Sequence, residues 1–300
     1  MLKVAGRDED MIVTSPDLYP FSPKSMVIDG HSMSYIDEGQ GPVMVMVHGN
    51  PTWSFYYRNL IRHLQATYRV IAVDHIGCGM SDKPQNYPYT LENHITNLET
   101  LLEKLAIDKC TLVMHDWGGA ISMGYAVRNP EKIQSFVIFN TAAFRSQRIP
   151  FRISICRWPL LGPLLVRGFN AFARTALFMA VTKSLTRDEE RGYLSPYDTW
   201  DNRIAILRFV QDIPLSEHHA SWKTLVAIEE GLARFSQTPM LILWGGRDFC
   251  FTRHFYDEWR RRFPQAEGIF FTDAGHYVLE DAFPQIVPIL DGFLARHLTV

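Results

Sequence analysis

The sequence predicts an α/β protein with a mostly parallel central sheet, helices on both faces and an inserted helical cap. Apolar runs of strand length alternate with helical spacing up to about residue 143, which is typical of a parallel sheet. The alternation stops there and resumes near residue 240. We therefore predict a first core part at residues 1–143, a helical cap at 144–220 and a second core part at 221–300.

The first core part contains six predicted strands and three predicted helices. The run at 43–48 is continuously apolar, as expected of a buried parallel strand, and Asp29-Gly30 is a turn signal between two short strands. We predict strands at residues 25–28, 32–36, 43–48, 69–74, 111–116 and 135–140, preceded by an arm up to about residue 20. Helices are predicted at 54–65, where Ser54 would be the N-cap, at 91–105 and at 117–128.

The second core part repeats the same alternation. Strands are predicted at residues 240–244 and 268–272, each followed by a helix, the last of which extends to about residue 297. In such sheets the functional site lies at the carboxyl ends of the strands, so the cap would cover it.

Composition excludes several classes of protein. With 47% apolar and 21% charged residues among 300, the chain is not expected to be disordered, and a net charge of −2 gives no general attraction to nucleic acid. The four cysteines lie far apart, without zinc-site spacing, and are interpreted as buried thiols in a reducing compartment. Residues 1–10 show no secretory signal and no run of about 18 apolar residues occurs, so we expect a cytoplasmic protein.

Asp116 is the first candidate catalytic residue. It ends an apolar strand and is followed at once by Trp117, Gly118 and Gly119, which is the pattern of a strand–turn–helix nucleophile elbow. A carboxylate at the elbow would form a covalent ester with its substrate. The alternative is that Asp116 only caps the following helix.

A base and an orienting acid are expected on loops after later strands. Asp248 follows the strand at 240–244, and His276 follows the strand at 268–272. This order of nucleophile, acid and histidine agrees with the elbow pattern, so we predict that Asp116, His276 and Asp248 are the catalytic residues. The segment Ile138-Phe139-Asn140-Thr141, another place for the acid, contains no carboxylate.

Asn50 and Trp117 are predicted to supply hydrogen-bond donors. The backbone N–H groups of Asn50 and Trp117 would form an oxyanion hole, and their side chains could both point at one small anion. The alternatives are turn formation before Pro51 for Asn50 and core packing for Trp117.

Together these motifs resemble the haloalkane dehalogenases of the α/β-hydrolase fold, over nearly the whole chain. The similarity comprises His48-Gly49-Asn50-Pro51-Thr52-Trp53, Asp116-Trp117-Gly118-Gly119, Asp248 and His276, and the Asn/Trp pair is similar to the third subfamily. Further segments closely resemble the β-lactone decarboxylases of long-chain olefin biosynthesis: Asn140–Phe144, Phe169–Phe172, Ser195–Tyr197, Arg208–Pro214 and Ala274–Asp281.

The resemblance implies a hydrolytic dehalogenase as the first expectation. Asp116 would displace halide, with Asn50 and Trp117 as halide-binding residues, and His276 with Asp248 would activate water against the resulting ester. A β-lactone decarboxylase that makes alkenes and carbon dioxide is the alternative. No metal and no organic cofactor are implied. A second halide donor in the cap could be Trp158, Trp200 or Trp222.

Two further alternatives stay open at this stage. An epoxide hydrolase also uses an elbow aspartate but needs cap tyrosines, for which Tyr193 and Tyr197 are candidates. A non-catalytic binding module would not need a complete set of catalytic residues.

The cap sequence also predicts association. Residues 145–183 carry six arginines and one lysine, no acidic residue, and many bulky apolar residues. This suits a small apolar substrate, a homo-oligomer formed through the cap, and reversible contact with an anionic membrane surface.

Overall fold

The structure is a computed structural model that describes residues 15–298. Within these residues eight strands form one sheet in the order β1-β2-β4-β3-β5-β6-β7-β8. The strands are β1 (Lys24–Ile28), β2 (His31–Glu38), β3 (Val43–Val47), β4 (Arg69–Val73), β5 (Cys110–Asp116), β6 (Ile133–Thr141), β7 (Met240–Gly245) and β8 (Glu267–Phe271). Strand β2 pairs antiparallel with β1 and β4, and every other pairing is parallel.

Twelve α-helical segments accompany the sheet in the described part of the chain. They are α1 (Arg58–Leu64), α2 (Leu91–Lys104), α3 (Trp117–Arg128), α4 (Phe151–Ile155), α5 (Leu161–Pro163), α6 (Ala171–Met179), α7 (Arg187–Leu194), α8 (Ile204–Gln211), α9 (Trp222–Gly231), α10 (Arg253–Arg262), α11 (Val278–Asp281) and α12 (Phe283–His297). Helix α5 continues into a π-helical turn, Leu164–Gly168.

The hydrophobic core has two layers, one on each face of the sheet. Successive side chains of a strand point to opposite faces. On β5, Leu112 and Met114 accordingly belong to one buried cluster, and Val113 belongs to the other. Because β5 lies in the middle of the sheet and is buried on both faces, its carboxyl end is a rigid support for the residue that follows.

The α/β-hydrolase fold predicted from the sequence is confirmed, and each predicted strand corresponds to an observed one. One local prediction is wrong. Ser54 lies inside a 3-10 turn, Ser54–Tyr57, and makes no side-chain capping bond. Its hydroxyl instead lies 2.6 Å from the Tyr19 hydroxyl, and its N–H donates to Asp74. Residues 1–10, on which the absence of a secretory signal was predicted, lie outside the described residues.

The segment 144–220 is helical and contains no strand. A buried ion pair connects it to the core. Arg58 of α1, with 1% of its side chain exposed, donates to Glu280 of α11 at 2.5 Å and to Glu189 of α7 at 2.9 Å. Tyr193 of α7 also donates to Glu280. Since unpairing a buried charge is costly, these contacts fix α7 over the core.

Several large apolar side chains of this segment are exposed. Leu160 has 89% of its surface exposed, and Phe151, Phe169 and Phe178 are also among the most exposed. Exposure of this kind motivates the hypothesis of self-association through the cap, which stays a prediction. A monodisperse species of 34.6 kDa in light scattering would contradict it. Along residues 15–298, no helix combines the length and the apolar character that a membrane-spanning segment needs.

Candidate active site

Asp116 occupies a sharp turn between β5 and α3. Its φ of 52° and ψ of −126° lie outside the regions that non-glycine residues normally adopt. A strained backbone of this kind directs the carboxylate away from the sheet. Neighbouring glycines make room, because a Cβ on Gly49 would meet the Asp116 carboxylate and one on Gly118 would meet the Val47 carbonyl.

The two carboxylate oxygens of Asp116 have different surroundings. Oδ1 accepts a hydrogen bond of 2.6 Å from the backbone N–H of Asn50, and the N–H of Trp117 also contributes to binding the carboxylate. Oδ2 lies 3.8 Å from Nε2 of His276. Burial raises the pKa of Asp116, and the opposing effects of His276 and of the two N–H groups reduce this rise. For the predicted role of Asp116 as nucleophile, Oδ2 is thus the oxygen that accepts no hydrogen bond from the N–H of Asn50.

His276 lies between the carboxylates of Asp116 and Asp248. Its Nδ1 is 2.7 Å from Oδ2 of Asp248, which fixes the ring and leaves Nε2 facing Asp116. Burial lowers the pKa of His276, but the charge of Asp248, its hydrogen bond and the charge of Asp116 outweigh burial and raise that pKa above its ordinary value. The structure thus brings Asp116, His276 and Asp248 together, and their roles stay a prediction until variants are assayed.

Asn140, at the end of β6, is a site residue that the sequence analysis missed. Its amide donates to Oδ2 of Asp248 at 3.0 Å and to the Gly245 carbonyl at 2.9 Å, and its Oδ1 accepts from the Gly245 N–H. Asp248 also accepts hydrogen bonds from the N–H groups of Cys250 and Phe251. In the sequence, residue 140 was considered only as a place for the catalytic acid, and it is not a carboxylate. Its amide side chain at the end of a strand was the available signal for a group that positions Asp248.

Replacing Asn140 by alanine is expected to lower kcat by about 10- to 100-fold, with little change in KM, because Asp248 loses a buried donor. Without the hydrogen bond from Asn140, the negative charge of Asp248 would act more strongly on His276. The pKa of His276 should therefore rise further, and the inflection of the pH–rate profile that reports His276 should move to higher pH. A pH profile of kcat for wild type, Asn140→Ala and the conservative Asn140→Ser measures this. An unshifted inflection with normal kcat would contradict a positioning role.

The side chain of Asn50 is only partly engaged with the protein. Nδ2 donates to the Ile206 carbonyl at 3.1 Å, which leaves the second N–H of the amide for a ligand. Trp117 lines the cavity next to Asp116, and its ring packs on Phe209 at 5.4 Å between centroids. Both side chains therefore reach the space in front of Asp116, as expected of donors to an anion.

The cap residues that were considered as additional donors lie elsewhere. Trp158 and Trp200 are 53% and 46% exposed. The ring of Trp222 faces Arg145, and none of these three candidate tryptophans lines the cavities around Asp116. The hydroxyl of Tyr193 donates to Glu280, and that of Tyr197 donates to the Thr52 carbonyl. Neither tyrosine lines the cavities, so neither is placed to protonate an epoxide oxygen.

The space in front of Asp116 is lined mainly by apolar side chains of the cap and of helices α2, α3, α9 and α10. Among the described residues 15–298, no group of three or more histidine, cysteine or acidic residues is arranged to hold a metal ion. Asp116, the backbone donor of Asn50 and His276 lie together at this space.

Relatives of known name agree with this fold. A family model for the alpha/beta hydrolase fold matches residues 42–283. A cis-3-alkyl-4-alkyloxetan-2-one decarboxylase of Shewanella oneidensis is 46% identical, with 94% of this chain and 91% of that protein covered. A protein of the same name from Xanthomonas campestris is 43% identical, with 93% and 98% covered.

The haloalkane dehalogenases are less similar to this chain. Haloalkane dehalogenase 2 of Mycobacterium bovis is 28% identical, with 89% of this chain and 93% of that protein covered. The crystal structure of haloalkane dehalogenase DbeA from Bradyrhizobium elkani superposes with a TM-score of 0.84 at 26% identity, covering 92% of this chain and 98% of that one. The chain therefore belongs to the alpha/beta hydrolase fold family, and its sequence is related more strongly to the oxetan-2-one decarboxylases than to the haloalkane dehalogenases.

Proposed function

We propose that the protein decarboxylates cis-3,4-dialkyl β-lactones (oxetan-2-ones) to an alkene and carbon dioxide, with Asp116 as the nucleophile. The observation that carries this proposal is the buried Asp116 carboxylate. One of its oxygens is held by a backbone N–H, the other lies 3.8 Å from His276, and the residue lines an apolar cavity. The chain that carries it is 46% identical to a protein named for this reaction.

Two activities were expected from the sequence, with hydrolytic dehalogenation as the first expectation and lactone decarboxylation as the alternative. We now place lactone decarboxylation first. The catalytic residue types are compatible with both reactions, so they do not discriminate. The relatives do favour one of them, because identities of 46% and 43% belong to decarboxylases and 28% to a dehalogenase.

In the first step Oδ2 of Asp116 attacks ring carbon C4 opposite the ring oxygen. The C4–O1 bond breaks and its electron pair goes to O1, so the ring opens to a carboxylate on C3 while C4 becomes esterified to Asp116. Negative charge develops on the departing oxygen. The indole N–H of Trp117 and the second amide N–H of Asn50 stabilise it, in the role that they would have toward a halide.

In the second step the bond between C3 and the carboxylate carbon breaks, and its electron pair forms the C3=C4 double bond. The C4–Oδ2 bond breaks at the same time, and its electron pair returns to the Asp116 carboxylate. Carbon dioxide and the alkene leave, and no water is consumed. His276, 3.8 Å from Oδ2, stabilises the carboxylate as its charge returns, and its raised pKa favours the protonated form that does so.

Labelled water tests the proposal. During hydrolysis, water attacks the ester carbonyl of Asp116, so repeated turnover in oxygen-18 water leaves the label in Asp116. Decarboxylation leaves none. With a cis-3,4-dialkyl lactone we expect alkene and carbon dioxide in equal amounts and an unlabelled Asp116 peptide in mass spectrometry. A labelled peptide together with a β-hydroxy acid product would overturn the proposal and indicate a hydrolase.

Dehalogenation is the second candidate, because the donors at Asn50 and Trp117 would serve a departing halide as well as the departing lactone oxygen. If 1,2-dibromoethane is a substrate, Trp117→Phe should slow bromide release by about 10²–10³-fold, since one transition-state donor is lost. The exposed Trp200, 46% accessible, offers the matched control Trp200→Phe, which should leave the rate unchanged. If Trp117→Phe and Trp200→Phe released bromide at the same rate, Trp117 would not be a halide-binding residue.

A further inference from the structure

Two cavities meet at the Asp116 carboxylate. One has a volume of about 140 Å³ and the other about 310 Å³. Both are lined by Asp116 and Asn50, and Ile153, Phe172 and Cys250 also line both where they come together. The reactive oxygen of Asp116 therefore lies at a branch point rather than at the closed end of a single pocket.

The two cavities extend into different parts of the molecule. The first, here termed the core arm, lies between the cap and the core and is lined by Leu225 of α9, Phe255 of α10 and Ile213 of the loop before α9. The second, termed the cap arm, lies beneath the cap and is lined by Thr175 and Ala176 of α6. Among the described residues 15–298, only those at the branch point line both arms.

Both arms suit hydrocarbon. The core arm is bounded by aliphatic and aromatic side chains of α2, α9 and α10. Away from Asp116, Asn50 and Cys250 at the branch point, its polar side chains include Ser146 and Arg148 beyond β6. The cap arm is bounded by Ile155, Leu165 and Met179 among others. Transfer of alkyl groups from water into such apolar surroundings is favourable for every methylene, so alkyl chains would bind in both arms.

We propose that the two arms bind the two alkyl chains of one lactone separately, one chain in each arm, with the ring at the branch point. This inference rests on the proposed function. A cis-3,4-disubstituted ring carries one chain on C4, the carbon that Asp116 attacks, and the other on the adjacent C3, so the two chains leave the ring at different carbons. Two arms that meet at Asp116 fit that shape, whereas one arm would have to hold both chains side by side.

Obstructing each arm separately tests the proposal. The substrates are two unsymmetrical cis-lactones, 3-octyl-4-methyl and 3-methyl-4-octyl, and the readout is the ratio of their kcat/KM values for alkene formation. Leu225→Trp obstructs the core arm and Ala176→Phe obstructs the cap arm, with Ile213→Trp and Thr175→Trp as second variants if either fails to fold. We expect the ratio to shift about tenfold or more in opposite directions for the two arms, since added bulk in an apolar pocket discriminates strongly.

Outward-facing substitutions on the same helices are the controls. Phe178→Trp on α6, 70% exposed in wild type, and Ala227→Phe on α9, also exposed, should leave the ratio unchanged. Shifts in the same direction from both arms, or no shift from either, would overturn the proposal. If the wild type makes no alkene from any of these lactones, the proposed function itself fails. Alkene from the wild type with unshifted ratios leaves that function intact and removes only the two-arm assignment.

Discussion

Alanine at position 116 is expected to abolish alkene formation, with a loss of more than about 10⁴-fold in kcat, because no other group at the branch point can form the ester. The carboxylate is the only acidic side chain that lines either cavity within the described residues 15–298. The measurement is gas-chromatographic detection of alkene from a cis-3,4-dialkyl lactone under single-turnover and steady-state conditions.

The loop that carries His276 provides a matched control. Asp273, whose side chain is 84% exposed and pairs with Arg247, follows β8 only three residues before His276. Asp273→Ala should therefore keep wild-type turnover, because an exposed ion pair contributes little. Substantial alkene formation by Asp116→Ala, with correct mass and folding, would exclude covalent catalysis at this residue and would sink the proposed mechanism.

The parts of the site that could be predicted from the sequence depend on local patterns. Asp116 is recognisable because an apolar strand, a tight turn and two glycines follow one another directly. Asp248 and His276 are recognisable because each comes directly after a strand, and parallel strands bring their carboxyl ends to one edge of the sheet.

The missed features depend on contacts between distant parts of the chain. The role of Asn140 arises from its contact with Asp248, 108 residues away in sequence. Ser54 has the residue type of an N-cap, but its partners are Tyr19 and Asp74, so tertiary contacts override the local preference. The branching of the cavity depends on how the cap helices pack over the core, which no periodicity in residues 144–220 encodes.

His276 is expected to be required after the ester has formed. Its Nε2 faces Oδ2 of Asp116, the oxygen that carries the ester. Formation of the ester requires Oδ2 as the nucleophile and the donors of Asn50 and Trp117, and it does not require His276. Replacing His276 by alanine should therefore leave the first step and slow the second, by about 10²-fold or more, because the group that stabilises the returning carboxylate charge is lost. The covalent intermediate should then accumulate.

Mass spectrometry of the Asp116 peptide from His276→Ala distinguishes the two reactions. After incubation with a cis-3,4-dialkyl lactone, the peptide should gain the mass of the whole lactone, because ring opening expels nothing. After incubation with 1,2-dibromoethane, any adduct should lack one bromine, because halide departs in the first step and water is no longer activated for hydrolysis. His254→Ala, at an exposed position on α10, is the control that should show no adduct and normal turnover. An unmodified Asp116 peptide in His276→Ala, together with alkene release at the wild-type rate, would show that His276 has no part in resolving the ester.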